Sequence, residues 1–186
     1  NGSTSNKSSL IQIGSATNWA KISCGYVHSI ALKSDGTLWA WGRNDSGEIG
    51  NNSSSSSFST PIQIGSSLWT QVSAGLLHAV AIQSPGTLWA WGYNAQGQLG
   101  DGTTNNKSSP VQIGSLTNWK KTSGSGYSTA AIKTDGTLWT WGQNIFGNLG
   151  LNNTYASSSP NQVGSESTWK SICLSNVLMA IKDGYI

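Results

Sequence analysis

The chain has 186 residues, 36% of them hydrophobic and only 9% charged, with 10 Trp and a net charge of +3. Ordinary globular chains carry roughly 25% charged residues. Here Asn, Ser, Thr, Gly and Gln supply the polarity, and the tryptophans exclude disorder, which is poor in aromatics. The lysines are dispersed and Arg43 is the single arginine, which excludes the basic stripe of a nucleic-acid footprint; no apolar run is long enough to span a membrane as a helix.

The chain opens at Asn1 without an initiator Met, so a processed chain or a fragment is expected. Residues 1–9, NGSTSNKSS, match DGTTNNKSS at 101–109, so the chain enters inside a polar loop of a repeat. LIQIG at 10–14 follows and matches PIQIG at 61–65, PVQIG at 110–114 and PNQVG at 160–164. Each reads as a short first strand. Ile11 and Ile13 share a face by the two-residue period, and Pro61, Pro110 and Pro160 stand at the first position, where a missing N–H is tolerated. A Gly/Ser turn leads to Trp19, Trp69, Trp119 and Trp169, which open a second strand such as AKISCG (20–25) or TQVSAG (70–75). The third strand is HSIALK (28–33), HAVAIQ (78–83) or STAAIK (128–133), with large residues alternating with Ala31, Ala81 and Ala131. SDGT, SPGT and TDGT come next, a strong hairpin signal where Asp-Gly is present. The fourth strand is GTLWAWG at 36–42 and 86–92 and GTLWTWG at 136–142, the copies standing 50 residues apart.

The pattern N-x-x-G-x-[IL]-G then recurs as RNDSGEIG, YNAQGQLG and QNIFGNLG, where Gly47, Gly97 and Gly147 hold backbone shapes closed to other residues. A Ser/Asn/Thr loop ends each period, and the fourth period stops at Ile186 before any LWxWG. The periods are 1–50, 51–100, 101–150 and an incomplete 151–186, one repeat domain over 1–186. Four short strands per period with Gly and aromatic signatures describe an all-β fold, a β-propeller of four-stranded antiparallel blades with about three and a half to four blades present.

The stretch GYVHSIALKSDGTLWAWGRNDSGEIG at 25–50, and its copy GLLHAVAIQSPGTLWAWGYNAQGQLG at 75–100, resembles the repeat of the regulator-of-chromosome-condensation family. The resemblance covers nearly the whole chain. It implies a seven-bladed propeller at full length, of which this chain holds about half. The third copy departs from the pattern with Ser128 in place of the histidine, and the fourth with Leu178 near that place. The family's best-known member is a nucleotide-exchange factor for a small GTPase, whose activity depends on loops and a wedge that nothing here matches. Plant UV-B photoreceptors of the family use Trp-Arg pairs, and this chain has only Arg43. Relatives of this regular, Ser/Asn-rich kind imply a secreted or surface-exposed binding module, hence an extracellular or cell-surface location.

No catalytic, metal or cofactor residues are expected. Asp35, Asp135 and Asp183 precede a turn Gly and are read as bonding the turn backbone. With Asp45, Glu48, Asp101 and Glu166 they offer no convergent pair of carboxylates for a glycosidase. His28 and His78 are read as core or inter-blade residues that bond a backbone carbonyl; Ser29 points away from His28, so no dyad forms. Cys24 and Cys173 are expected to be small buried thiols, with a disulfide the alternative. The pairs Trp39/Trp41, Trp89/Trp91 and Trp139/Trp141 could be a stacking platform for a sugar or base, or blade-to-blade packing. Packing is the expectation, with Gly42, Gly92 and Gly142 as part of the structural repeat. Recognition is placed on the loops 51–60, 101–109 and 151–159 and on Arg43, Tyr93 and Gln143 just after each WG. Asn-x-Ser/Thr triplets at Asn1, Asn6, Asn44, Asn51, Asn106 and Asn152 arise by chance in such a composition, and become glycosylation sites if the source is eukaryotic and secreted.

The functional expectation is a non-catalytic binding or scaffold module for a protein or glycan. The alternative is a hydrolase or lyase on a propeller, and an exchange-type regulator ranks lower. Strand counting gives four, four, four and three, which leaves an open edge. Further blades from the same chain, another copy or a partner are expected to cover it, with a fragment of a longer ring favoured.

Overall fold

A computed structural model describes residues 2–3, 5–174 and 178–182; Asn1, Asp183 and Ile186 lie outside the described residues. Fourteen strands and no helix are found among them. β1 (Trp19–Cys24), β2 (His28–Lys33), β3 (Leu38–Gly42) and β4 (Phe58–Gln63) form the first antiparallel blade in the order β1-β2-β3-β4. β5 (Trp69–Ala74), β6 (His78–Gln83), β7 (Thr87–Gly92) and β8 (Lys107–Gln112) form the second. β9 (Trp119–Ser125), β10 (Ser128–Lys133), β11 (Leu138–Gly142) and β12 (Ser157–Gln162) form the third, and β13 (Trp169–Leu174) pairs β14 (Leu178–Lys182) in a two-stranded fourth. The first strands β1, β5, β9 and β13 touch one another in succession, and the second strand of each blade meets the first strand of the next. The first strands are therefore innermost, and the blades radiate from them as a propeller.

The expected register holds. Trp39, Trp89 and Trp139 stand opposite Ala31, Ala81 and Ala131, and opposite Gln63, Gln112 and Gln162 on the other side. The phase of the blades differs from the expectation. The run at 10–14 is not a strand, and Leu10 is fully exposed. Its counterparts at 61–65, 110–114 and 160–164 contribute the outer, fourth strand of the blade before them, extended upstream to Phe58, Lys107 and Ser157. The strand count among described residues is four, four, four and two. Pro61, Pro110 and Pro160 sit at the fourth position of these strands rather than the first, within the irregular stretches of the β3–β4, β7–β8 and β11–β12 ladders. An edge strand tolerates them there because its outward N–H groups have no partner to lose.

Alternation along the strands gives each blade two unlike faces. One carries Ile30, Leu32, Leu38 and Ala40; in the next blade Trp69, Ala79, Ala81 and Trp91 pack against it in one buried cluster. The cluster between the second and third blades repeats this with Val80, Ile82, Leu88 and Ala90 against Trp119, Ala131 and Trp141. The small alanines make room for the indoles paired beside them. Polar bonds add to the seam: Trp91 Nε1 donates to the Glu48 carbonyl at 3.0 Å and Trp141 Nε1 to the Gln98 carbonyl at 2.9 Å. At the axis, Ser23 and Ser73 accept from the backbone N–H of Ala74 and Gly124. Gly100 (φ +80) has no alternative, since a Cβ there would stand 2.6 Å from Trp141 Nε1.

The paired tryptophans are not equally buried. Trp91 and Trp141 are fully buried, while Trp39, Trp89 and Trp139, two residues nearer the start of the same strands, are half-buried. Trp41 is half-buried because no blade precedes the first among the described residues. The opening tryptophans complete triads: Trp19, Trp69 and Trp119 lie 6.0–6.3 Å from both members of their pair, edge-on to Trp39, Trp89 and Trp139.

Candidate functional site

Each β3-type strand ends on the same face of the propeller as the β1–β2 type of loop, here called the upper face. Gly42 (φ +111) closes the first of these ends, and a Cβ there would stand 2.5 Å from the Val27 carbonyl. The next residue is clamped in the same way in each of the three four-stranded blades. The backbone N–H groups of Arg43, Tyr93 and Gln143 donate to the carbonyls of Val27, Leu77 and Tyr127 at 2.9 Å each. Three different side chains therefore stand at one fixed position on successive blades. Arg43 is half-exposed and pairs with Asp45. The Tyr93 ring packs against Tyr127 with centroids 5.7 Å apart. The carbonyl of Gln143 accepts from Ser128 Oγ and Asn148 Nδ2, so the serine that replaces the repeat histidine ties down the same loop.

The long loops beyond are held by one asparagine per blade, the first of them the Asn44 of a chance Asn-x-Ser triplet. Asn44, Asn94 and Asn144 are fully buried, and each accepts from the backbone N–H of Ile49, Leu99 or Leu149. Their amide groups donate onward to the loop: Asn44 to Ser53, Asn94 to Thr103 and Asn105, Asn144 to Asn153 and Tyr155. A glycan on Asn44 is excluded by this burial. The signal was present in the sequence as the first residue of N-x-x-G-x-[IL]-G. The second loop is stiffened by Asp101, whose burial would raise its pKa but whose bonds to Thr103 and Lys107 outweigh that and hold the carboxyl below the usual range.

His28 and His78 are buried at the seams, as expected, but their partners differ from the expectation. His78 Nε2 lies 3.0 Å from the Thr129 hydroxyl of the third blade, not from a carbonyl. That hydroxyl donates its one proton to the Gln98 carbonyl at 2.8 Å. It must therefore accept from His78, which fixes the Nε2–H tautomer. Ala79 stands at the corresponding place opposite His28 and has no hydroxyl, so neither His28 ring nitrogen makes a well-aligned hydrogen bond, and the backbone of His78 is the group that acts on the ring as an acceptor. Burial pushes His28 down to about 4, against an opposing effect of the His78 backbone. Burial, with the neighbouring His28, pushes His78 to about 3. In the G-x-x-H motif the imidazole lies over the glycine, and a Cβ on Gly25 or Gly75 would overlap the ring.

The thiols correct another expectation. Cys24 and Cys173 are free and exposed rather than buried. Cys24 ends the innermost strand of the first blade, and Cys173 lies on a blade flank that no described blade covers. Asp35 and Asp135 behave as expected, each accepting from both the backbone N–H and the hydroxyl of Thr37 or Thr137. Those bonds hold both carboxyls below the ordinary range, led by the Thr37 hydroxyl for Asp35 and the Thr137 N–H for Asp135. The same hydroxyls accept from Trp39 Nε1 and Trp139 Nε1 at 2.9 Å, so D-G-T-L-W is one bonded unit.

The model of the regulator of chromosome condensation (RCC1) repeat matches residues 35–82, 85–132 and 135–176, and a second model of the same repeat matches 19–48 and 69–98. The chain belongs to this repeat family. Among solved structures it is similar to human WBSCR16, with a TM-score of 0.74 and 21% identity over 84% of this chain and 42% of that one. It is also similar to yeast RCC1 (Prp20) bound to Kap60, with a TM-score of 0.79 and 16% identity over 90% of this chain and 43% of that one. A second structure of the Saccharomyces cerevisiae protein, Prp20p, gives 0.78 and 16% over 90% and 44%. The chain spans less than half the length of each of these proteins. At these identities the likeness is one of fold.

Proposed function

We propose that the chain, one repeat module over residues 1–186, is a non-catalytic binding module that engages a protein partner through its upper face. The observation that carries this reading is the common backbone clamp at 2.9 Å, which presents a cation, an aromatic ring and an amide at one position of three rigid blades. Variation confined to fixed positions on a stiff scaffold is how loop surfaces carry recognition. Exposed aromatics on the same face, Tyr26, Phe146 and Tyr155, add the side chains that interfaces favour. Among the structural neighbours, yeast RCC1 was crystallised with Kap60 and Prp20p is described with binding to Gsp1p and histones, which favours a protein over a glycan as the partner.

The described acids support a non-catalytic reading over a hydrolase, because each already has a structural partner. Asp35 and Asp135 serve turns, Asp45 pairs Arg43, Asp101 pairs Lys107, Glu166 pairs Lys182, and buried Glu48 accepts from the Ser46 N–H. A photo-crosslinking residue at Tyr93 or Gln143 is expected to trap the same protein from an extract of the source organism. One at Thr117, on the opposite face, is expected to trap none. Tyr93→Ala should then weaken the purified pair about tenfold, the scale of a 1.4 kcal/mol contact. Equal trapping from both faces would overturn the assignment, and retention of the chain by glycans through Tyr93 would replace the protein with a sugar.

A further inference from the structure

The seam between the first and second blades opens at the rim into a groove of about 450 Å³. Its lining includes Asn52, Gln63, Ser67, Trp69, Gln83 and Trp89, and no charged residue. Trp89 is held rigidly: its Nε1 donates to Thr87 Oγ1 at 2.9 Å, and Trp69 abuts it edge-on with centroids 6.0 Å apart. Around it stand polar groups with nothing to bond. The side chains of Asn52, Ser67 and Gln83 have no hydrogen-bond partner among the described residues, and Gln63 uses only its Nε2, on the Gly65 carbonyl.

The corresponding groove between the second and third blades, about 400 Å³, is built differently. Lys133 lines it and lies 3.6 Å from the Trp139 ring centroid and 4.9 Å from that of Trp119. In the first blade Lys33 lies 3.9 Å from the Trp39 centroid. The ring face is thus capped by an ammonium in both neighbours, a favourable arrangement for a cation over indole. In the second blade the position holds Gln83, and no cation covers Trp89 among the described residues. Leu116 and Gly102 also line the other groove, where this one has Ser67 and Asn52.

A fixed indole without a cation cap, neutral surroundings and several unspent amides and hydroxyls match one ligand chemistry. A pyranose has an apolar C–H face that stacks on an aromatic ring and a rim of hydroxyls that bond planar amides. The volume falls in the range of small-ligand sites, roughly 300–1,000 Å³. We propose that this groove is a subsite for one or two residues of a neutral polysaccharide, with a pyranose stacked on Trp89 and its hydroxyls bonded to Gln83, Asn52 and Gln63. The site does not include Arg43, Tyr93 or Gln143 and stands whether or not a protein binds through them.

The test titrates the full chain with cellotetraose, maltotetraose and chitotetraose, following tryptophan fluorescence and heat, with tetragalacturonate as the anionic control. Saturable binding of at least one neutral tetrasaccharide is expected, with a Kd of about 1 mM or tighter. Gln83→Lys installs the residue of the first and third blades, so the fold is retained. It should weaken binding about tenfold or more by capping the ring with a cation. Asn52→Gly keeps the positive φ that this position needs and should weaken binding roughly threefold by removing one amide. Tyr93→Ala should leave the affinity unchanged, which separates this site from the upper face. Absence of saturation by all three neutral sugars at about 10 mM, equal binding of tetragalacturonate, or an unchanged affinity in Gln83→Lys would overturn the proposal.

Discussion

Thr129→Val tests the chain of bonds that locks the second blade to the third. The substitution keeps the volume and removes the hydroxyl. Three groups depend on that hydroxyl or share its acceptor: His78 Nε2 at 3.0 Å, the Gln98 carbonyl at 2.8 Å, and Trp141 Nε1, which also donates to Gln98. Gln98 keeps its second donor, so its loss is small. His78 does not; its N–H becomes a fully buried donor with no partner. A net hydrogen bond is worth about 1 kcal/mol and an orphaned buried donor costs about 1–3 kcal/mol, so a loss of about 2–3 kcal/mol is expected. With an m-value of about 2 kcal/mol/M in urea, the midpoint falls by about 1–1.5 M and the slope stays constant. Thr129→Ser, which keeps the oxygen and loses only a methyl, should recover most of that loss. Urea titrations followed by tryptophan fluorescence measure both variants. If Val lies within about 0.5 kcal/mol of the wild type, the range of a neutral surface change, the bonded chain contributes nothing and the reasoning fails.

Four further outcomes are expected. The stability contributed by neutral His28 and His78 is fully present above their unfolded pKa of 6.5 and is lost as pH falls toward their folded values of about 4 and 3; the loss approaches about 1.4 kcal/mol per pH unit for each group, and a flat urea midpoint between pH 7 and 4.5 would contradict it. Asp35 and Asp135, with lowered pKa values, add their loss only below that window, as pH falls through their own range. Trp141→Ala should cost about 3–5 kcal/mol, as truncation of a fully buried tryptophan does, and half-buried Trp89→Ala should cost clearly less when both are unfolded in urea. Gly100→Ala, which forces a Cβ against Trp141, should cost at least about 2 kcal/mol more in thermal melts than Gly114→Ala, which pays only for its positive φ in open space. Exposed Ile22 on one flank and Met179 and Ile181 on the other should make the 186-residue chain associate at high concentration, so that light scattering reports a mass that falls toward the monomer in Ile22→Glu.

The period and the strand register were legible because a drift-free repeat reports equivalent places directly. The phase of the blades was not. Only a short linker separates Gln63 from Trp69, and such a linker reads as a turn between paired strands. In the structure it carries the chain from the rim of one blade to the innermost strand of the next, where the Trp69 N–H bonds the Gly36 carbonyl of the blade before. Nothing in the residues of the linker records that crossing, because the bond uses only backbone. The role of Asn44 was hidden for a different reason. Its side chain satisfies loop groups spread over residues 49–53, and a short-range motif shows the asparagine without its partners. Arg43, Tyr93 and Gln143 stand out in the sequence by position alone, and the structure adds the clamp that makes them comparable.

In a repeat this regular, the informative residues are the departures, and the two faces of a blade decide what a departure means. On the seam, a change must be answered across it or leave a buried group unpaired. Thr129 answers His78, whereas Ala79 offers His28 no hydroxyl and neither of its nitrogens makes a well-aligned bond. At the rim no answer is required, because water can satisfy whatever is exposed. Gln83 replaces a lysine there without orphaning any buried atom, and the immediate effect is to leave the face of Trp89 without its cation. Rim departures are therefore nearly free to follow a ligand, while seam departures are held by stability. That asymmetry is why the groove between the first two blades, rather than the equally aromatic seam beneath it, is the place to look for chemistry that distinguishes one blade from its neighbours.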